Sequence, residues 1–275
     1  MDIIIRQDRC IGCGECVRDC LRELFRVEDG KARLQEGVCI RCGHCVAVCP
    51  ADAIRLPGGA EEEIRPYVPE AFDIPPERLL NFLRFRRSVR RFRDRPVEPE
   101  KLDAMLEAAR YAPTGGNQQM TRYILLEKDR AELTGLALKT LYDAAGRLDE
   151  DPALRGLKRY QDKWRSMYPA WQRGEDRLFY NAPCVWVVVA RNGGKGTGRL
   201  DAGLAAANME LTANALGLGA CYVGFFTSAA ALEPELYRRL GLREGEEVVA
   251  VLAVGYPDVK YRRTVNRNPA DVTRM

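Results

Sequence analysis

Apolar side chains recur along this chain with different spacings, and each spacing predicts a different element. At Leu102, Met105, Leu106 and Ala109 they return at helical intervals, which lays one apolar stripe along a helix over Pro99–Arg110. Leu79, Leu80, Phe82 and Leu83 open another helix from Pro76, and a long one begins at Asp201, runs through Leu216 and ends at Gly217-Leu218-Gly219. Unbroken apolar runs at Cys184–Ala190 and Glu247–Gly255 predict buried strands, Tyr123–Leu126 predicts a third, and Cys221–Phe226 reads as a short extended piece. Residues 131–180 read as mostly helical. Their aromatics, among them Tyr142, Tyr160, Trp164 and Phe179, serve either helix packing or the wall or lid of a pocket. At the other end, Ile3-Ile4-Ile5 starts a strand that pairs with Ala53–Leu56. Between the two halves, residues 57–76 hold prolines at 57, 66, 69, 75 and 76 and acids at Glu61–Glu63, which is the composition of a semi-extended linker.

Composition places this pattern in a soluble globular protein: 46% of residues are hydrophobic and 30% charged. The first residues hold no long apolar stretch, so secretion is not expected. No run of 18 apolar residues exists, so no membrane span is expected, and the chain reads as cytoplasmic. The net charge of +4 is too small to imply nucleic acid, and residues 1–60 carry nine basic against nine acidic residues, so the excess lies outside them.

The cysteines change the picture. Cys10, Cys13, Cys16 and Cys20 follow the spacing C-x₂-C-x₂-C-x₃-C, and Cys39, Cys42, Cys45 and Cys49 repeat it, ending in Pro50. Thiolates at this spacing hold [4Fe–4S] clusters, and in two-cluster ferredoxins the last Cys of each run serves the other cluster. One cluster is therefore assigned to Cys10, Cys13, Cys16 and Cys49, the other to Cys39, Cys42, Cys45 and Cys20. Zinc favours paired cysteines closing a four-coordinate site, and disulfides need an oxidising compartment. Residues 1–56 resemble bacterial two-cluster ferredoxins, with Leu21 after Cys20 where Pro is common. Such chemistry points to low oxygen. Cys184 and Cys221 sit in apolar segments and read as small buried hydrophobes. The single His44, between Cys42 and Cys45, reads as a surface or cluster-shielding residue.

Residues 84–96 contain seven Arg around Ser88. They form either a solvated basic face or an anion site, because guanidinium forks and a hydroxyl suit a phosphate. Pro113-Thr114-Gly115-Gly116-Asn117-Gln118-Gln119 is a polar, Gly-rich loop that lets backbone approach a flat ligand. Asn192–Gly198 departs from the phosphate-loop pattern and reads as a flexible loop, and no G-x-G-x-x-G follows a strand, so no Rossmann site for NAD(P)H is expected.

Arg86-Arg87-Ser88-Val89-Arg90, the 113–119 loop and Gly217–Gly224, in this order, resemble the nitroreductase family of FMN enzymes over residues 79–275, and the whole chain resembles its ferredoxin-fused branch. The resemblance implies an α+β fold with an antiparallel-rich sheet ringed by helices, in an intertwined homodimer with FMN at two interface sites. Carried over by position, Arg86, Ser88 and Arg90 hold the FMN phosphate with Arg87 beside them. Lys260 and Arg263 complete that cage. Pro113, Thr114, Gly115 and Asn117 reach the flavin from the other subunit, and the Val223–Gly224 backbone lies near flavin N5. Thr114-Gly115-Gly116 stands where the family often has small hydroxyl residues.

The expected organisation is a two-cluster module at 1–60, a linker at 61–78 and an FMN-binding domain at 79–275. The expected function is an iron–sulfur flavoprotein oxidoreductase. It passes electrons from an external one-electron donor, such as a ferredoxin, through two [4Fe–4S] clusters and FMN to a small nitroaromatic, quinone or enone acceptor. The alternative is an FMN-binding redox relay or sensor without substrate turnover. No acid–base pair stands out.

Overall fold

A computed structural model describes residues 3–58, 63–152, 154–191 and 196–275. Most of the acidic run at 61–63, the boundary placed after residue 60, and the start of the Asn192–Gly198 loop lie outside those residues. The chain divides into a first unit that runs to Ile74 and takes in Gly116–Gln118, and a second that comprises Pro75–Gly115 and Gln119–Met275.

In the first unit β1 (Ile4–Ile5) pairs antiparallel with β4 (Ile54–Arg55), which ties the ends of the cysteine region together. Helix α1 (Glu15–Asp19) and helix α2 (His44–Ala47) carry Cys16 and Cys45, each buried. Each helix follows a glycine with φ near +80°, Gly14 (77°) and Gly43 (81°), a conformation an L side chain rarely adopts. The chain thus turns the same way at the same place in both cysteine runs. Between them, β2 (Phe25–Glu28) and β3 (Lys31–Leu34) form a hairpin that the hydrophobic pattern does not reveal, since only Phe25 and Ala32 of it are buried. The apolar core is small: Ile3, Leu24, Phe25, Ala53 and Ile54 pack with Cys10, Cys16 and Cys45. The proline-rich stretch is not wholly extended, because Pro69 starts the short helix α3 (Pro69–Phe72).

The second unit opens with α4 (Pro76–Phe85) and α5 (Pro99–Arg110). It is built on four antiparallel strands in the order β5 (Thr121–Leu126), β6 (Cys184–Ala190), β8 (Glu247–Gly255), β7 (Gly219–Tyr222). Every residue of β6 is buried, because both faces of the sheet are covered. Val185, Val187 and Val189 face one core with α6 (Arg130–Arg147) and α7 (Gln161–Gln172). Trp186, Val188 and Ala190 face the other, against α5 and α8 (Gly198–Ala215). That two-sided burial explains why the strand reads as a continuous run rather than an alternation. Trp164 and Phe179 are fully buried, so this aromatic-rich region serves packing at those positions.

Two sequence expectations shift. Helix α8 starts at Gly198, three residues before Asp201. The extended piece at 221 ends at Tyr222, and α9 (Gly224–Leu232) starts at Gly224, followed by α10 (Pro234–Arg239). Phe226 enters the core from that helix, which a strand reading did not allow. Among the described residues no helix is long and apolar enough to cross a membrane.

Candidate functional site

The first unit contains two cysteine-lined cavities. Cys10, Cys13, Cys16 and Cys49 line one, and Cys20, Cys39, Cys42 and Cys45 line the other. Each cavity draws three thiols from one run and its fourth from the other. Burial pushes the Cys45 thiol up to about 11, and the neighbouring Cys42, Cys39 and Cys20 push the same way. Burial likewise raises Cys16, with Cys10, Cys13 and Cys49 adding to it. Cys10 goes the other way: despite burial, the Ala32 and Gly12 amides and the Lys31 ammonium lower its thiol. Backbone amides already point at sulfur: Ala32 N–H donates to Cys10 Sγ and Ala53 N–H to Cys49 Sγ, both at 3.2 Å. Among the described residues no group of three or more such side chains closes on a single metal ion. Thiols spread around a cavity fit a cluster with several irons better than a lone zinc. His44 is exposed, with Nδ1 3.1 Å from Asp19 Oδ2.

The second unit contains a cationic cleft of about 1070 Å³, counted with its open mouth. It forms because the arginine-rich segment is strapped to the sheet. Val89 N–H donates to the Ala220 carbonyl of β7 at 2.9 Å, Arg93 N–H to Tyr256 and Asp258 N–H to Arg91, each also at 2.9 Å. Arg86, Arg87, Lys260 and Tyr261 line it beside Phe82, Phe85 and the Gly217–Leu218 turn. Arg87 Nη1 donates to the Arg86 carbonyl, while its Nη2 is buried with no hydrogen-bond partner among the described residues. Arg86, Arg87 and Lys260 together give the cleft a cationic lining, which fits an anionic group.

The other candidate residues take varied places. The Ser88 backbone bridges Ala220, and its carbonyl accepts from the Tyr261 hydroxyl at 3.4 Å. Burial pushes the Tyr180 phenol and the Cys221 thiol up, and the Arg90 guanidinium pulls both back. Arg263 is exposed in the tail and does not line the cleft. Val223 N–H is used by the sheet, donating to Val251 at 2.8 Å, and Gly224 begins α9. Pro113 is exposed, and Thr114 Oγ1 accepts from Gln119 N–H at 3.2 Å. Asn117 belongs to the first unit, where Nδ2 donates to the carbonyls of Ile40 (3.1 Å) and Arg41 (2.8 Å), in the loop between Cys39 and Cys42.

Two buried acidic residues that sequence reasoning did not single out hold candidate residues: Asp201 on the 113–119 loop, outside the lining of the cationic cleft, and Glu210 beside Arg86. Asp201, 4% exposed, accepts from Gly115 N–H at 3.2 Å on each oxygen and from Thr197 Oγ1 at 3.1 Å. Gly115 has no room for a side chain, since a Cβ there would fall 2.1 Å from Thr197 Oγ1. Glu210, 6% exposed, meets Arg86 Nη1 at 2.6 Å. The available signal was a charge inside the apolar stripe of a helix, which demands a partner.

Residues 83–256 match the nitroreductase family, and residues 2–50 match the 4Fe-4S dicluster domain. The chain is 26% identical over 228 residues to a 4-nitrobenzoate reductase of Nocardioides sp. (strain LMS-CY), covering 74% of this chain and 88% of that protein. Thirty residues, 11% of this chain, are 50% identical to Ferredoxin-2 of Desulfomicrobium norvegicum and span 51% of it. A crystal structure of a nitroreductase with bound FMN from Desulfitobacterium hafniense DCB-2 is 26% identical, covers 70% of this chain and 97% of that one, and superposes with a TM-score of 0.54.

Proposed function

Because this chain belongs to the nitroreductase family and carries a 4Fe-4S dicluster domain ahead of it, we propose that it is an iron–sulfur flavoprotein that moves electrons from an external one-electron donor, such as a ferredoxin, to a small organic acceptor. When bound, the clusters carry electrons one at a time, and FMN joins that single-electron supply to a two-electron reduction. The observation that carries the reading is the pairing, in one chain, of two four-thiol cavities with a cationic cleft whose Arg87 Nη2 lacks an acceptor.

In this reading residues 1–60 are the cluster module, 61–78 the linker and 79–275 the flavin domain. Cys10, Cys13, Cys16 and Cys49 hold one cluster; Cys20, Cys39, Cys42 and Cys45 hold the other. Arg86, Arg87, Ser88 and Lys260 take the phosphate, and Pro113, Thr114 and Gly115 line the ring site, with the Gly115 amide held by Asp201. Phe82, Phe85 and Leu218 keep one side of the cleft apolar, which limits water there. A second copy of the chain completes the site. Leu79, Leu80 and Leu83 on α4 are 39–48% exposed, a stripe that a homodimer partner would cover. The acceptor class is nitroaromatic, quinone or enone, and the 4-nitrobenzoate reductase relative supports the first.

An anaerobic acceptor screen driven by reduced ferredoxin tests the reading. Steady turnover of one of these classes is the expected result; reduction of the protein without any acceptor turnover would leave a relay or sensor instead.

A further inference from the structure

We propose that Glu210 is a positioning residue for anion capture: it holds the Arg86 guanidinium at the wall of the cationic cleft and leaves that side chain's other N–H groups for the phosphate of FMN. The inference rests on the flavin reading above.

Glu210 occupies the buried side of α8, among Ala206, Met209 and Ala213. A carboxylate there is costly without a partner. Its partner is Arg86, distant in sequence, with Nη1 to Oε1 at 2.6 Å. The side chains are unequally exposed, 24% for Arg86 and 8% for Glu210. The guanidinium therefore runs from a buried carboxylate at one end to the cleft it lines at the other. A guanidinium carries five donors in a rigid plane, so the contact of Nη1 with Glu210 anchors one end and leaves the other donors usable. One turn further along α8, Asn214 lines the same cleft, and its Nδ2 donates to the Glu210 main-chain carbonyl at 2.8 Å. Burial pushes the Glu210 carboxyl up and Arg86 pulls it back. Cys221 and Tyr222 of β7 are the other titratable groups that feel it.

A purely structural role and a positioning role separate on one ratio. Riboflavin has the ring of FMN without the phosphate, so a residue that serves only the fold changes both affinities together. The full chain, stripped of flavin, would be titrated with FMN and with riboflavin by flavin fluorescence, as wild type, Glu210→Gln and Glu210→Ala. The wild type should prefer FMN. Glu210→Ala should weaken FMN about tenfold, as expected for a lost charge-assisted contact, and leave riboflavin unchanged. Glu210→Gln keeps an acceptor oxygen and should retain most of the preference. An unchanged FMN-to-riboflavin ratio in Glu210→Ala would overturn the role. If that variant does not fold, Glu210→Asp carries the test: it keeps the charge but withdraws the carboxylate from Arg86 by one methylene, so an unchanged FMN-to-riboflavin ratio overturns the proposal and a fall in it supports it. A wild type that binds neither flavin overturns the flavin reading itself, and the role with it.

Discussion

Cys20 belongs to the first cysteine run, yet it lines one cavity with Cys45 of the second and adds to the rise of the Cys45 thiol. Cys49 makes the reciprocal move into the cavity of Cys10 and Cys16. Clusters bound in both cavities would lock the two halves of the module across each other, around an apolar core that is small.

The crossing makes an unusual prediction for Cys20→Ser. Anaerobically purified wild type should carry about eight irons per chain. The variant should lose or alter the cluster held by Cys39, Cys42 and Cys45, although the substitution lies in the other run. Electron paramagnetic resonance with iron analysis distinguishes the two clusters; damage confined to the Cys10 cluster would refute the crossing.

Arg87→Ala removes the buried nitrogen that lacks an acceptor. FMN affinity should fall by roughly ten- to a hundredfold, the usual range for a charge-assisted contact. Unfolding in the absence of flavin should register only the lost hydrogen bond from Nη1 to the Arg86 carbonyl, about 0.5–1.5 kcal/mol. Equal flavin retention in variant and wild type would return the arginine run to a solvated basic face.

Asp201→Ala releases the Gly115 amide and the Thr197 hydroxyl at once. Leaving such groups unpaired costs about 1–3 kcal/mol each, so chemical denaturation should show a loss of that order, and FMN should dissociate faster. A variant as stable as wild type would mean that the 113–115 segment is held by other contacts.

Glu246, 6% exposed, accepts from Arg122 Nη2 at 2.7 Å and from Arg243 N–H at 2.9 Å. Burial works to raise its carboxyl, but these donors outweigh it, and the group sits below its ordinary range. A depressed folded value means that its contribution is present above the unfolded value, near pH 4.3, and is lost as pH falls through the folded value. Trp164, Trp171 and Trp186 all lie in the second unit, so tryptophan fluorescence reports its unfolding. Between pH 5 and pH 3 the wild type should lose more stability than Glu246→Gln; parallel losses would contradict the assignment.

Much of this arrangement was legible in the sequence for identifiable reasons. The cysteine runs declare a cluster by spacing alone, and β6 and β8 declare themselves because strands covered on both faces carry no polar positions. The β2–β3 hairpin stayed hidden because its exposed side chains, such as Arg26 and Arg33, break the apolar pattern. Helix α9 stayed hidden because Val223-Gly224-Phe225-Phe226 is as apolar as a strand, and periodicity does not separate the two over so short a run. The acidic anchors were out of reach for a different reason: Glu210 and Asp201 meet Arg86 and Gly115 only through the fold, with separations of 124 and 86 residues.

The central claim is that the cysteine-bound clusters supply the electrons that reach the acceptor. The most direct test compares full-length protein with a Cys13→Ser, Cys42→Ser double variant, which removes one ligand from each cavity. Acceptor reduction would be measured anaerobically in two ways, driven by reduced ferredoxin and driven by direct photoreduction of the bound flavin. The double variant should keep the photoreduced reaction and lose the ferredoxin-driven one. Equal ferredoxin-driven rates in both proteins would contradict the claim and make the N-terminal module a structural or docking element.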